Sequence, residues 1–293
     1  MTAVPALGEV ATVAQRLAVL LAAGVAPASA WGHVAASLDS VVARRVAAGA
    51  ELLDAASGTT GLQHDAWRGL AAAWAVAAEA GSPLAPALQD YALSLRELGE
   101  AQRDARVALA GPIATARIVL ALPAVGVLFG MLLGFNTVGT LFGTPLGWAC
   151  LATGGGLLAL AVHWNRRLVR AARPMSATPG LSCELMAIAV SGGASLDRAR
   201  SVVGAAVGRF GIEAEDVEGV LELSRAAGVP AAELLRSEAR ERRAAARSTA
   251  QEQAAALAVR LMLPLGLCVL PAFLTLGVLP LLVTVITSTM GSF

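Results

Sequence analysis

Two long stretches of this chain contain no charged side chain. The first runs from Ile118 to Asn165 and the second from Leu261 to Phe293, and apolar residues dominate both. A helix needs about 20 apolar residues to cross the hydrocarbon core of a bilayer, which is roughly 30 Å thick. The sequence therefore predicts an integral membrane protein.

The first stretch is long enough for two crossings, with a turn-like segment rich in Asn, Thr and Gly between them. We expect one span at 113–135, a short external loop at 136–145 and a second span at 146–164. The second stretch predicts a third span at 261–287, followed by an external tail at 288–293. Its three prolines fit a membrane helix, where neighbouring groups can bond the carbonyls that proline frees.

The basic residues indicate which side of the membrane each polar region occupies. All 22 of them are arginine, and none lies between the first two spans or in the C-terminal tail. Because the cytoplasmic flanks of membrane spans are enriched in Arg and Lys, we expect both polar regions, 1–112 and 165–260, in the cytoplasm. The N-terminus is then inside and the C-terminus outside. The deciding clusters are Arg166, Arg167, Arg170 and Arg173, and Arg240, Arg242, Arg243 and Arg247.

One segment near the N-terminus favours a different topology. Residues 15–31 combine Arg16, an apolar run and Ala28-Ser29-Ala30, which imitates a cleaved secretory signal peptide. Cleavage would export the first polar region and invert the topology. The arginine distribution argues against this reading, because it would place the arginine-rich second region outside.

The two polar regions look like copies of each other, which indicates an internal repeat. The segment WAVAAEAGSPLAPAL at 74–88 aligns with LELSRAAGVPAAELL at 221–235. A glycine that ends one helix and a proline that opens the next predict a helix–turn–helix unit in each copy, with Ser82 as an N-cap. These turn residues are Gly81 and Pro83 in the first copy and Gly228 and Pro230 in the second.

A looser match pairs Gly24 with Gly193 and places the extra sequence of the first copy at 44–61. In each copy a long helix then leads into a span. The expected fold class is an all-α integral membrane protein with two repeated cytoplasmic helical-bundle domains and three transmembrane helices. No strand-like alternation of useful length competes with this assignment.

No pattern in the chain predicts catalysis, a cofactor or a metal ion, so we expect a protein that is not an enzyme. The histidines are far apart, and the cysteines match neither a zinc pattern nor a disulfide framework. The glycine runs lack the lysine and the strand-to-helix context of a phosphate loop. With a net charge of only +1, nothing suggests nucleic-acid binding. The residues weighed here are His33, His64, His163, Cys150, Cys183 and Cys268.

Two sets of residues are candidates for helix packing or partner docking. Glycines four residues apart on the first span allow another helix to approach closely, either within the chain or from an oligomer partner. Arginines of the long helix 230–260 form either a solvated or lipid-facing surface or a docking surface for a cytoplasmic partner. The glycines are Gly126, Gly130 and Gly134, and the arginines are Arg240, Arg242 and Arg243.

The order of domain, two spans, domain and one span, with a glycine turn in each domain, resembles the type II secretion F family. Its members are inner-membrane platform proteins of secretion systems and type IV pili. The segment LMLPLGLCVLPAFLTLGVL at 261–279 looks like the Tad/Flp pilus branch, TadB and TadC, and the lysine-free, Ala- and Arg-rich composition is typical of a high-GC bacterium such as an actinobacterium. The resemblance implies a non-enzymatic, oligomeric platform in the bacterial inner membrane. Its implied partners are a cytoplasmic secretion ATPase, a paralogous platform protein, pilin subunits and membrane lipid.

The chain departs from the family pattern at one point. Many members have a glutamate three residues before the turn glycine, where this sequence has Ala78 and Arg225, so no acidic contact can be transferred. The alternative function is a small transporter or permease subunit that docks on a cytoplasmic ATPase. A transporter would place polar or ionisable groups in mid-membrane, which the predicted spans lack.

Overall fold

The computed structural model describes residues 6–132, 142–171 and 178–280, together with Gly139, Leu282 and Ile286. These residues are mostly helical and contain no strand, which confirms the all-α prediction for the described part of the chain. They form two compact units. The first comprises Met1–Arg103 and Met175–Thr249, and the second Asp104–Pro174 and Ala250–Phe293.

The helices follow the chain in a simple order, and the last apolar segment alternates between α- and π-helical turns. They are α1 (Ala6–Ala22), α2 (Pro27–Ser37), α3 (Val41–Ala47), α4 (Leu52–Ala55), α5 (Leu62–Ala80), α6 (Leu84–Leu132), α7 (Pro145–Ala171), α8 (Leu181–Ser191), α9 (Leu196–Phe210), α10 (Glu218–Ala227), α11 (Ala231–Pro264), a π-helical segment (Leu265–Val269), α12 (Leu270–Phe273) and a second π-helical segment (Leu274–Val278).

The first unit is organised around α5. This helix contacts α1 and α4 from its own polar region and α8 and α9 from the other. Trp67 and Leu70 of α5 and Leu185 of α8 are fully buried in the same core. Burying such a side chain contributes about 1.5–3 kcal/mol, so this shared core is a major source of stability. Both predicted domains thus contribute to one hydrophobic core, while their origin as repeats stays a prediction.

The turns have the backbone geometry that the sequence predicted. Gly81 ends α5 at φ 69° and ψ 22°, and Gly228 ends α10 at φ 67° and ψ 23°. Only glycine adopts this left-handed conformation without steric cost, which explains why both helices stop there. Pro83 and Pro230 directly precede α6 and α11. The Ser82 hydroxyl donates a hydrogen bond to the carbonyl of Ile188 in α8, and its N-cap role stays a prediction.

A close contact inside the first unit makes one glycine indispensable. A Cβ added at Gly69 in α5 would overlap the Tyr91 side chain, whose hydroxyl donates to the Ala66 carbonyl at 2.6 Å. Tyr91 is itself fully buried, so its ring has little room to move.

We predict that Gly69→Ala destabilises the protein by about 1–3 kcal/mol, because it overpacks the Tyr91 contact. Denaturant unfolding of the full chain in detergent measures the change. The matched control is Gly99→Ala in α6, where an added Cβ meets nothing within 4 Å and alanine favours the helix. Equal stabilities for the two variants would contradict the described packing of α5 on α6.

The second unit contains the end of α6, α7 and the segment from the end of α11 to the second π-helical segment. Glycines allow these helices to approach closely. A Cβ added at Gly154 of α7 would overlap the Leu276 side chain and lie 2.9 Å from Thr275 Oγ1. A Cβ added at Gly126 of α6 would lie 3.5 Å from the Gly277 Cα. Helix packing here therefore depends on small residues, as in other membrane bundles.

The prolines of the last apolar segment explain its π-helical turns. Proline frees the carbonyl of the residue four positions earlier and its ring clashes with that carbonyl. For Pro271 and Pro280 those residues are Leu267 and Leu276, and each lies in a π-helical segment. The Thr275 hydroxyl lies 3.0 Å from the Pro271 carbonyl, which gives that oxygen a donor. Local widening of the helix at Leu267 and Leu276 thus accommodates the two prolines.

Two described helices are long and apolar enough to cross a membrane, which is consistent with a membrane protein. They are Pro145–Leu168, with 24 residues, and Ala231–Val278, with 48 residues. The predicted first span, 113–135, is not among them. It begins in the last part of α6, where large apolar side chains are exposed, and residues 133–135 lie outside the described part of the chain, as does the tail 288–293. Three spans therefore remain a prediction.

We predict that Gly154→Ala lowers the thermal unfolding midpoint of the full chain in detergent, because the new methyl group displaces Leu276 and Thr275. Gly155→Ala is the neighbouring control, since a Cβ at that position meets nothing within 4 Å. The expected cost of Gly154→Ala is about 1–3 kcal/mol. An equal midpoint for both variants would show that α7 does not pack on the last segment as described.

Candidate functional site: a charged seam between α6, α8 and α11

Charged side chains and one serine hydroxyl gather along α6, α8 and α11 in the first unit. On α6 they recur at spacings of four and three, and on α11 at seven and four, so each set lies on one helix face. We name this group the charged seam. Its members are Asp90, Ser94 and Glu97 of α6, Glu184 of α8, and Arg236, Arg243 and Arg247 of α11.

The centre of the seam is a buried ion pair between α8 and α11. Arg243 Nη1 donates to Glu184 Oε2 at 2.7 Å, and the two side chains are only 14% and 5% exposed. Ser94 Oγ of α6 lies 3.2 Å from the same carboxylate oxygen. Three helices thus meet at one carboxylate, so the position of α11 relative to α6 depends on this site.

Burial dominates the electrostatics of this pair. It raises the pKa of Glu184, and the positive charge of Arg243 opposes that rise. Glu184 Oε1 and Arg243 Nε are buried without a hydrogen-bond partner among the described residues. Breaking such a pair by removing one partner is costly, because the remaining charge stays away from water.

The outer contacts of the seam are more exposed and weaker. Arg236 Nε lies 3.3 Å from Asp90 Oδ2. Glu97 Oε2 lies 4.0 Å from Arg243 Nε and 3.9 Å from Arg247 Nη2, midway between two turns of α11. Exposed pairs of this kind contribute about 0–1 kcal/mol each. They set the alignment of the two helices more than the stability of the unit.

Arg242 makes a second connection between α11 and the start of α8. Its guanidinium donates to Glu238 at 2.8 Å and to the Asp216 carbonyl at 2.7 Å, and lies 3.4 Å from Glu215 Oε2. Glu215 Oε1 in turn accepts from the Gly180 backbone N–H at 2.7 Å, next to the first turn of α8. Burial lowers the pKa of Arg242, but the Glu238 hydrogen bond and nearby negative groups raise it above its ordinary value.

The three candidate docking arginines therefore occupy different environments. Arg242 and Arg243 are engaged in contacts within the chain, whereas Arg240 is exposed, with its Nε 3.3 Å from the Arg236 carbonyl. A docking role stays a prediction for all three. Of the three, Arg240 is the exposed one.

The structure describes the surroundings of one of the three candidate packing glycines. Gly126 faces Gly277 and Phe273 of the same chain, so the structure gives this position an intramolecular contact. Gly134 and the surroundings of Gly130 lie outside the described residues.

Sequence reasoning missed Glu184. Its signal was present: one carboxylate interrupts the otherwise uncharged helix LSCELMAIAVS, whose residues from Leu181 to Ala189 are all buried. A buried carboxylate needs a partner, but the pattern does not say that Arg243 supplies it.

The side chains of the charged seam form ion pairs between helices, and none of these pairs joins a nucleophile to a general base. Within the described ranges, no cluster of His, Cys, Asp or Glu side chains could hold a metal ion. The nearest thiol is Cys183 of α8, and burial raises its pKa to about 11. A thiol with such a pKa is almost fully protonated at neutral pH and is a poor nucleophile.

Comparison with known proteins gives one match, to a protein-family model. Residues 13–132 match the family model for Type II secretion system (T2SS), protein F. This match supports the F family. It covers less than half of the chain, from within α1 to the last residue of α6, and so includes the α6 face of the charged seam but neither α8 nor α11. No curated protein and no solved structure gives a significant match.

The matched segment thus covers the first polar region from residue 13 onward and most of the predicted first span. The Tad/Flp branch and the high-GC bacterial origin rest on the sequence resemblance alone. The second polar region supplies α8 and α11, so the seam unites the matched segment with the unmatched one.

We predict that Arg243→Ala destabilises the full chain by about 3–5 kcal/mol, because it leaves Glu184 buried and unpaired. Arg240→Ala, three residues earlier on the same helix but exposed, should stay within about 0.5 kcal/mol of the parent protein. Denaturant unfolding in detergent measures both.

A double variant tests the cause of the loss. Glu184→Leu combined with Arg243→Leu removes both buried charges and should recover most of the stability. If Arg243→Ala costs no more than Arg240→Ala, the buried pair does not hold α11 in place.

Proposed function

We propose that the protein is an inner-membrane platform of a type II secretion or type IV (Tad/Flp) pilus assembly machine. In this role it couples a cytoplasmic secretion ATPase to pilin assembly and performs no catalysis itself. The observation that carries the proposal is the match of residues 13–132 to T2SS protein F. The resemblance of the last apolar segment to the Tad/Flp branch supports the narrower assignment.

The course of two helices supports a coupling role. Both α6 and α11 begin in the first unit and end in the second. Each residue of a helix interior is hydrogen-bonded to its neighbours four positions away, which makes a helix a stiff connection. A displacement that an ATPase imposes on the first unit would therefore travel along both helices toward the apolar segments. The charged seam would make the two helices move together.

The uncharged apolar stretches favour a platform over a transporter. From Ile118 to Asn165 and from Leu261 to Phe293 the sequence has no Asp, Glu, Lys or Arg. Proton and ion paths usually depend on ionisable groups within the membrane. A protein that anchors and aligns other components does not need ionisable groups of this kind.

We place the ATPase contact on the exposed face of α11 at Arg240. Its guanidinium is solvent-exposed and has no described carboxylate partner, and the neighbouring Glu241 is also exposed. Charge reversal at such a site repels a complementary carboxylate on the partner while leaving the buried core unchanged.

We predict that Arg240→Glu weakens co-purification of the secretion ATPase by about fivefold to tenfold, as expected for the loss of about 1 kcal/mol or slightly more. Arg198→Glu, on an exposed position of α9, is the matched control. Unfolding midpoints of the two variants should be equal, which separates docking from folding. ATPase recovery that is equally high with both variants would remove Arg240 from the contact.

The function itself is tested by deleting the gene in its host and scoring surface appendages and secreted pilin. Loss of assembly, restored by the parent protein and by Arg198→Glu, is the expected result. Normal assembly in the deletion strain would overturn the platform proposal. A reporter fused after Phe293 should be active only outside the cytoplasm, and cytoplasmic activity would overturn the proposed topology.

A further inference from the structure

The second unit carries an excess of positive charge. Its sequence ranges contain seven arginines but only two carboxylates, Asp104 and Glu252. Arg166 and Arg167 near the end of α7 are exposed, and so is Arg260 near the end of α11. Charges of one sign beside an apolar helix pair suit a ligand that is anionic at one end and apolar at the other.

Packing between α7 and the last apolar segment indicates the level of these arginines along the helix axes. Gly154 faces Leu276, while Ala161 packs in one cluster with Cys268 and Val269, so the two elements run in opposite directions. Continuing this register sets Arg166 and Arg167 at the level of the end of α11. Arg260 then lies about one helical turn, roughly 5 Å, from their level.

A polar acceptor accompanies the guanidinium groups. Asn165 Oδ1 is buried and has no hydrogen-bond partner among the described residues. Trp164 packs partly buried against the Ala161 cluster. It is the last residue of the predicted second span, and aromatic residues commonly meet lipid headgroups at span ends. A carbonyl oxygen accepts a hydrogen bond from a hydroxyl group, so the site combines anion binding with a hydroxyl contact.

The surface beside this site suits acyl chains. Leu160 of α7 is 52% exposed, and Leu263 of α11 is 61% exposed. Leu267 in the first π-helical segment is 69% exposed. These side chains continue from the arginines along the apolar part of the same helices, so a diacyl lipid could place its phosphate on the arginines and its chains on the leucines.

We propose that Arg166, Arg167 and Arg260, with Asn165, bind the headgroup of an anionic glycerophospholipid of the phosphatidylglycerol type. The phosphodiester oxygens accept hydrogen bonds from the guanidinium groups of two helices. A headgroup hydroxyl donates to Asn165 Oδ1. The lipid then joins α7 to the end of α11 at the border of the apolar segment.

The test measures lipid affinity of the full chain purified in non-ionic detergent. Phosphatidylglycerol and phosphatidylcholine with identical acyl chains are titrated and bound lipid is counted by native mass spectrometry. Each arginine near an anionic headgroup contributes about a fivefold factor in affinity. The variant Arg166→Gln/Arg167→Gln/Arg260→Gln should therefore bind phosphatidylglycerol about a hundredfold more weakly, with phosphatidylcholine unchanged.

Matched variants separate this site from general charge effects. Arg44→Gln/Arg96→Gln/Arg198→Gln removes the same charge from exposed positions of the first unit and should leave phosphatidylglycerol affinity unchanged. Replacing Arg166, Arg167 and Arg260 with lysine keeps the charge and should retain affinity within about tenfold. Asn165→Leu should reduce phosphatidylglycerol affinity to that of phosphatidylethanol, a diester with the same single charge but no headgroup hydroxyl.

Several results would overturn the proposal. One is equal affinity of the parent protein for the two lipids. Another is a loss of phosphatidylglycerol affinity in Arg44→Gln/Arg96→Gln/Arg198→Gln as large as in Arg166→Gln/Arg167→Gln/Arg260→Gln. A third is full phosphatidylglycerol affinity in the latter variant. Displacement of the lipid by an equal concentration of inorganic phosphate would assign the site to free phosphate instead. Unchanged phosphatidylglycerol binding by Asn165→Leu would remove the hydroxyl contact.

Discussion

The Glu184–Arg243 pair is the interaction on which the arrangement of the first unit depends. Glu184 sits in a helix that is buried along most of its length, and its negative charge is met by one arginine from α11 and a hydroxyl from α6. Apolar packing alone would tolerate small shifts of α11 along α8. A buried charge pair tolerates little, because any displacement that separates the two groups leaves both without water and without a partner.

Local features of the fold could be predicted from the sequence, whereas distant pairings could not. The turns at Gly81 and Gly228 follow from the backbone freedom of glycine, a property of each residue on its own. The partner of Arg243 lies 59 residues away in sequence, and several carboxylates were equally plausible from pattern alone. For the same reason the sequence did not indicate that the fold directs Arg242 and Arg243 toward carboxylates of the chain.

The apolar segments show a similar division between composition and packing. Absence of charge was sufficient to predict a membrane protein, and two described helices have the required length. Which glycines matter was not predictable, because the decisive contact at Gly154 depends on how Leu276 and Thr275 face α7. The prolines were expected to be tolerated, but the π-helical turns that accommodate them depend on local backbone adjustment that composition does not specify.

The shared core also constrains how the protein is made. The ribosome completes α5 and then α6 well before it reaches α8 and α9, which cover α5 in the finished protein. At about 5–20 residues per second, the interval is on the order of ten seconds. Throughout that time the face of α5 that α8 and α9 later cover has no partner from its own chain. The nascent polypeptide therefore needs a chaperone or the membrane surface to shield that face until translation delivers the second half.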